Sequence, residues 1–344
     1  MTKNDSGPAN NACCCLSKGC ADIPAVTAAL TLKDRLGAFK VRWGIGRMDY
    51  KVAPGLYALG QPDENAPVLV SANYKLTFDT LRKNLAGLDC WLLILDTKGV
   101  NVWCAAGKGT FGTLEVQKRV KTTGLISIVN HRQLIMPQLG ASGVDAQLVK
   151  RLTGFTVIYG PVRAGDIKQF LAQGHKATKN MRQVNFTVWD RLVLTPVEFM
   201  GAAKTSLMVF GALFIVNLFA ARPFGPADFF AYVGAVCAGA IIAPLLLPLI
   251  PGRAFAFKGW LAGAVCTALI VWAQGWFNSS FLLLGIGYML ALPAYSAFLT
   301  MNFTGSSTYT SFSGVIKEMK ISLPFIILSL VLGTSMVLIK TFAG

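Results

Sequence analysis

The residues best suited to chemistry lie in one run, Asn101-Val102-Trp103-Cys104-Ala105-Ala106-Gly107-Lys108. A thiolate there would be a soft nucleophile or metal ligand, and the small residues beside it let a bulky group approach the backbone. The run continues as Gly107-Lys108-Gly109-Thr110-Phe111-Gly112-Thr113, in which Gly107, Gly109 and Gly112 satisfy G-x-G-x-x-G. A helix beginning at Thr113 would then offer its positive end to a phosphate. The ribose-binding acid expected about 20 positions on is missing, because after Glu115 the next carboxylate is Asp145. Arg132 suits a phosphorylated ribose instead, so an NAD(P)-binding membrane oxidoreductase stays open beside the thiol chemistry.

Short apolar runs alternating with amphipathic segments must position this turn. Strands are expected at Val68 to Ser71, Cys90 to Asp96, Leu125 to Val129, Thr156 to Tyr159 and Arg191 to Leu194. Helical spacing covers Thr77 to Ala86, Thr113 to Thr122, Val144 to Leu152 and Ala164 to Ala172. Alternation of this kind implies a parallel sheet covered on both faces, with ligands beyond the strands' carboxyl ends. The turns after Ser71, Asp96, Val129 and Tyr159 are therefore candidate walls, and Thr77, Gly140 and Gly160 lie on or beside them.

Of 344 residues, 53% are hydrophobic and 14% charged, too apolar for an ordinary soluble chain. Asymmetry sharpens this: 26 of the 32 Lys and Arg and 14 of the 16 Asp and Glu precede Thr205, a net +12 there by subtraction. Five stretches near Thr205 to Ala221, Phe229 to Ile250, Gly259 to Phe277, Phe281 to Thr300 and Ile321 to Ile339 are each long enough to cross a bilayer, and none of these windows contains a charge. That argues against a proton or ion pathway. A cytoplasmic N-terminal domain puts Lys204, Arg253, Lys258, Lys317 and Lys320 inside and Arg222 and Lys340 outside, as the positive-inside rule prefers. The expectation is a multi-pass inner-membrane protein with its C-terminus outside. Residues 1–28 read as a mobile tail, 29–200 as the cytoplasmic α/β domain and 201–344 as the membrane domain. Cys13, Cys14, Cys15 and Cys20 lack metal-site spacing, and no basic helix or RNA-binding motif points to nucleic acid. Residues 301–320 are hydroxyl-rich and are read as an inside connection. Cys237 and Cys266 fall among small residues and read as helix-packing positions.

The eight-residue run resembles the signature of the HgcA family of mercury-methylation corrinoid proteins, itself related to the large subunit of the corrinoid iron–sulfur protein of the acetyl-CoA pathway. Likeness extends through 73–79 (NYKLTFD), 107–113, 130–141 (NHRQLIMPQLGA), 159–164 (YGPVRA) and 195–199 (TPVEF). It implies an α/β Rossmann-like corrinoid-binding domain plus an all-α transmembrane domain of five helices. It further implies cobalamin or a related corrinoid, a short capping helix around Asn101 to Lys108, and Cys104 as lower axial ligand of cobalt. The wider corrinoid family has a hydroxyl residue there. A thiolate trans to a methyl group favours its departure as a carbanion equivalent, which suits Hg(II) as acceptor.

On this resemblance Thr77, Asn101, Val102, Trp103, Ala105, Gly107, Lys108, Gly109, Thr110, Gly140 and Gly160 join Cys104 as cofactor-binding candidates. Asn101 would orient the thiolate or the cap backbone, and Trp103 would shield the metal. His131 and His175 are not in the D-x-H-x-x-G pattern of His-ligated cobalamin proteins. With no iron–sulfur spacing in this chain, electrons would come from a ferredoxin-like partner with two [4Fe-4S] clusters. The methyl donor would be a methyltetrahydrofolate acting through another methyltransferase. A corrinoid methyl carrier of acetyl-CoA metabolism is the alternative.

Overall fold

A computed structural model describes residues 23–306 and 312–343. Cys13, Cys14, Cys15 and Cys20, and 307–311 of the hydroxyl-rich stretch, lie outside the described residues. The chain divides into two compact units, Met1–Leu30 with Lys51–Arg182 and Thr31–Tyr50 with Gln183–Gly344, so helix α1 (Leu32–Arg42) belongs to the second.

The first unit is built on a six-stranded sheet of β1 (Ala25–Val26), β2 (Gly55–Leu59), β3 (Val68–Ala72), β4 (Cys90–Leu95), β5 (Gln133–Met136) and β6 (Thr156–Tyr159). Its order is β1-β2-β4-β3-β5-β6. Every residue of β3 and β4 is buried, the pattern of strands covered on both faces. One face, Val68, Val70, Leu93 and Leu95, packs under α3 (Val102–Gly107), α4 (Thr113–Thr122) and α5 (Ala146–Thr153). The other, Leu69, Leu92 and Ile94, packs under α2 (Lys75–Asn84) and α6 (Ile167–Ala172). Strands β3 and β5 are neighbours, yet the helices that follow them cover opposite faces. The chain therefore splays apart beyond their carboxyl ends, where an open sheet binds its ligands.

Three expectations need correction. The sheet is mixed, because β2 runs antiparallel to β4 from Gly55↔Ile94 to Leu59↔Cys90; its glycine-led sequence lacks a clean two-residue alternation and escapes pattern reading. Leu125 to Val129 is no strand: Gly124, at φ +61°, ends α4, and Leu125–Ser127 forms a 3-10 turn that tucks Leu125 into the core. The strand comes later, at Gln133–Met136, so the ligand-side turn begins at Pro137 and not after Val129. Arg191 to Leu194 is helical instead, since Thr187 and Asp190 form a capping box that starts α7 (Val188–Leu192).

Among the described residues of the second unit, five helices are long and apolar enough to cross a membrane: Val188–Asn217, Pro226–Leu245, Phe255–Ala273, Ser279–Asn302 and Ser313–Ala343. They comprise α7 with α8 (Thr195–Asn217), α9 (Pro226–Cys237) running through a π turn at Ala238–Ile242 into α10 (Ala243–Leu245), α11 (Phe255–Ala273), α12 (Leu282–Asn302) and α13 (Phe312–Ala343). The apolar windows are themselves free of charge, but these helices outrun them, and the added residues include Glu198, Lys204, Asp228, Lys258 and Glu318. Asp228 is buried and accepts from Arg222 Nη2 (3.1 Å), the Tyr288 hydroxyl (2.6 Å) and Gly225 N–H (2.8 Å), a paired charge as burial requires. Small residues let helices approach: a Cβ on Gly263 would stand 2.5 Å from Ser296 Oγ, whose hydroxyl lies 2.8 Å from Ala235 O and 3.1 Å from Leu292 O.

Candidate functional site

Helix α3 is short and carries Cys104 on its open side. Val102, Ala105 and Ala106, spaced i, i+3, i+4, are buried in the core, so the remaining positions turn outward. Trp103 and Cys104 are half-buried, and Gly107, Lys108 and Gly109 are exposed. Asn101 is the N-cap: its Oδ1 accepts from the Cys104 N–H at 2.9 Å. The residue expected to orient the thiol thus fixes that residue's own backbone, a contact worth about 1 kcal/mol to the helix.

The turn between β4 and α3 is held by a side chain from the neighbouring strand end. Asn73, buried directly after β3, accepts through Oδ1 from the N–H groups of Thr97 (3.1 Å) and Gly99 (3.0 Å). The Thr97 hydroxyl, 2.9 Å from Asn73 Oδ1 and 2.6 Å from Val100 O, donates to either. Asp96 accepts from Asn73 Nδ2 (3.3 Å), Lys98 N–H (3.1 Å) and Lys98 Nζ (2.6 Å), and its own N–H donates to Glu115 Oε1 (2.9 Å). The hydrogen bond and charge of Lys98 hold the Asp96 carboxyl below the usual carboxylate range. This bracing supports a turn in which Lys98 (φ +59°) and Gly99 (φ +76°) are both left-handed. Sequence reading missed Asn73 as a site residue, although a polar residue immediately after a buried strand was the available signal.

Part of the glycine fingerprint serves to close a helix. Backbone N–H groups of Lys108, Gly109, Thr110 and Phe111 donate to the carbonyls of Cys104, Ala106, Ala105 and Ala105, at 3.0–3.2 Å. They close the end of α3 and are not presented to a phosphate. A separate helix also intervenes between β4 and the glycines, unlike a dinucleotide fingerprint that directly ends a strand. Gly109 needs its left-handed φ of +76°. Gly140, predicted as a ligand-side residue, is buried where a Cβ would stand 2.5 Å from the Phe111 ring, and Gly143 would meet Phe111 O at 2.3 Å. These two glycines let the turn after β5 press against the segment that closes α3. Gly160 is buried too, with a would-be Cβ 3.2 Å from Ile135, and Thr77 sits half-buried in the first turn of α2. The structure thus brings Gly140 against Phe111, just after the Asn101–Thr110 segment, whereas Gly160 packs against Ile135, Met136 and Phe170.

His131 is engaged structurally: its Nε2 lies 2.9 Å from Ala66 O and its Nδ1 accepts from Gln133 N–H. Cys90, in the middle of the sheet, is fully buried, and burial pushes its thiol up to about 12. Of the described thiols of this unit, only Cys104 combines access with a helix-fixed backbone.

The fold and this edge define a class: an α/β unit with a thiol-bearing short helix at the ligand end of its sheet. Residues 44–171 match the family described as CO dehydrogenase/acetyl-CoA synthase delta subunit. Among relatives, the acetyl-CoA decarbonylase/synthase complex subunit gamma of Methanopyrus kandleri is 36% identical over 127 residues, 36% of this chain and 27% of that protein. Its counterpart in Methanocaldococcus jannaschii is 33% identical over 144 residues, 41% of this chain and 29% of that one. Subunit gamma 2 of Methanosarcina thermophila is 37% identical over 114 residues, 32% and 24% respectively. The chain spans about a quarter of the length of these relatives. The matched segment holds the sheet from β2 onward and the whole of α3.

Proposed function

We propose that the first unit binds a corrinoid and serves methyl transfer in one-carbon chemistry, with Cys104 as the lower ligand of its cobalt and Hg(II) as the methyl acceptor. The carrying observation is the placement of Cys104: a half-exposed thiol on a helix whose opposite face is locked into the core. The residues fit such a group. Cβ atoms added at Gly107 or Gly109 would meet nothing within 4 Å, so the surface beside the thiol is open and low enough for a flat macrocycle. A sulfur donor is the soft ligand that cobalt in a corrin accepts.

When bound, the corrinoid would supply a cobalt-carried methyl group. The chain's share is positional. Asn101 holds the backbone N–H of Cys104, so the thiol approaches from a fixed height. Val102 and Ala105, both buried, keep α3 from rotating, and Trp103 limits water at the thiol's side. The Asn73 and Asp96 network sets where α3 starts. A strong thiolate donor favours delivery to an electrophile such as Hg(II), which supports the acceptor, together with the resemblance of the eight-residue run. The five apolar helices support placement in the cytoplasmic membrane, and the resemblance supports a ferredoxin-like reductant and a methyltetrahydrofolate-dependent donor as partners.

The names of the relatives favour a second reading for the same site, a corrinoid methyl carrier within an acetyl-CoA-forming complex. Both share the cofactor and differ in the acceptor. The test is the full chain loaded with cobalamin, compared with Cys104→Ala and Cys104→Thr. A sulfur-dependent absorption band lost in both variants, together with lost methylmercury formation under a reductant, is expected. Undiminished methylation by Cys104→Ala would overturn the ligand role. A band present without methylmercury formation, but with methyl transfer to a nickel acceptor, would select the second reading.

A further inference from the structure

Helix α1 carries an apolar stripe that faces away from the protein. At about 100° per residue, Leu32, Leu36, Phe39 and Trp43 (i, i+4, i+7, i+11) fall on one line. Leu32, Leu36 and Phe39 are 72%, 53% and 61% exposed, and the Phe39 and Trp43 rings lie 6.0 Å apart. The opposite side meets the unit: Val41 is buried, a Cβ on Gly37 would stand 2.5 Å from the Tyr50 hydroxyl, and that hydroxyl donates to Asp34 O. Lys33 and Lys40 border the stripe on one side, Arg35 and Arg42 on the other. A Thr31–Asp34 capping box fixes the helix start.

Apolar side chains turned outward between two rows of cations match neither water nor an acidic protein groove alone. The combination is that of a helix lying in a membrane surface, with its stripe in the acyl boundary and its cations at anionic headgroups. Position agrees with this. The α1 segment belongs to the unit of the five apolar helices, and Gly44, just after it, approaches Val197 in the first turn of α8. Trp189, in α7 on the same approach, is 70% exposed, and an indole at such a place suits the headgroup level.

We propose that α1 is an interfacial anchor that docks this chain on an anionic bilayer surface. The assignment rests on the reading that the five helices cross that bilayer, and amide exchange separates the two. The full chain is placed in detergent, in phosphatidylcholine nanodiscs and in nanodiscs containing phosphatidylglycerol. Amides 34–42 should exchange most slowly in the anionic discs. Lys33→Gln and Lys40→Gln should each reduce the protection about fivefold, and Leu36→Asp with Phe39→Asp should remove it. Equal exchange in all three media, with α11 and α12 protected, would overturn the anchor alone. Protection that grows with protein concentration, or is already complete in detergent, would assign the stripe to a second copy or to the rest of the chain and likewise overturn it. Freely exchanging α11 and α12 in a chain that still floats with anionic vesicles through α1 would sink the spanning reading and keep the anchor.

Discussion

Cys90 and Cys104 occupy neighbouring segments of one unit and live in opposite environments. Cys90 begins β4, wholly enclosed by both helical layers, and behaves as a small apolar side chain whose thiolate is suppressed by burial. Cys104 stands where the same strand's connection emerges, on a helix that buries only its rear. The difference lies in backbone placement, since the residue type is the same. A strand buried on both faces can hide a thiol in either direction, while a short helix at the sheet's edge must leave one side open.

The largest effect should come from Cys104. Replacing it by Ala should lower methyl transfer by on the order of 100-fold or more, because loss of a direct ligand exceeds the 10- to 100-fold typical of groups behind one. Cys90→Ala should leave the rate of correctly folded protein unchanged. Single-turnover assays on both variants, normalised to bound cobalamin, would break the contrast if the two fell equally. Alkylation offers a cofactor-free version. At pH 8 a thiol with a pKa near 12 is ionised to about one part in ten thousand, so native full-length protein should be modified at Cys104 well before Cys90, as peptide mapping would read.

Stability should sort the other way. Asn73→Ala strips the partner from two backbone N–H groups at the β4–α3 turn, costing about 2–3 kcal/mol. Cys90→Ser, which buries a hydroxyl among Leu and Ile side chains, should cost about 1–3 kcal/mol. Denaturant unfolding measures both, and a neutral Asn73→Ala would show that the turn is held by something else. Asn101→Ala should cost about 1 kcal/mol, with Asn101→Asp or Asn101→Ser restoring most of it. If capping sets the thiol's height, the Ala variant should also weaken the sulfur-dependent cobalamin band, and the capping substitutes should not.

What the sequence conveyed about this region was uneven for physical reasons. The buried strands at 68–72 and 90–95 announce themselves because largely apolar runs of that length have few other uses, and 156–159, only partly buried, shows in its β-branched and aromatic residues. Helix Thr113–Thr122 is legible from its period. The false strand at 125–129 shows the limit: Leu125, Ile128 and Val129 are apolar because they cap a helix against the core, a demand that leaves no periodicity. In the site, Cys104 and its small neighbours were visible as a run. Asn73 was not, since its partners Thr97 and Gly99 lie across the sheet and only the paired strands bring them together. At Gly140 the close packing was not legible, because no local pattern reveals that a ring from position 111 fills the space its side chain would take.

The smallest effect expected concerns Asp96, and its sign is fixed by the direction of its shift. The Lys98 hydrogen bond and charge lower the Asp96 pKa in the folded chain, so the folded state binds this proton less readily than the unfolded one. The stabilisation is therefore fully present above the unfolded value, about 3.9, and is lost as pH falls through the lower folded value. Lys98 is exposed, so water and salt screen most of the attraction. Amide exchange of residues 97–100 in wild type and Asp96→Asn should differ slightly and constantly from pH 7 to pH 5, with the gap closing below about pH 4. Raising the salt should shrink it throughout. A gap that widens on acidification would mean that Asp96 is held protonated in the fold, and that Asn73 alone braces the turn from which α3 and its thiol project.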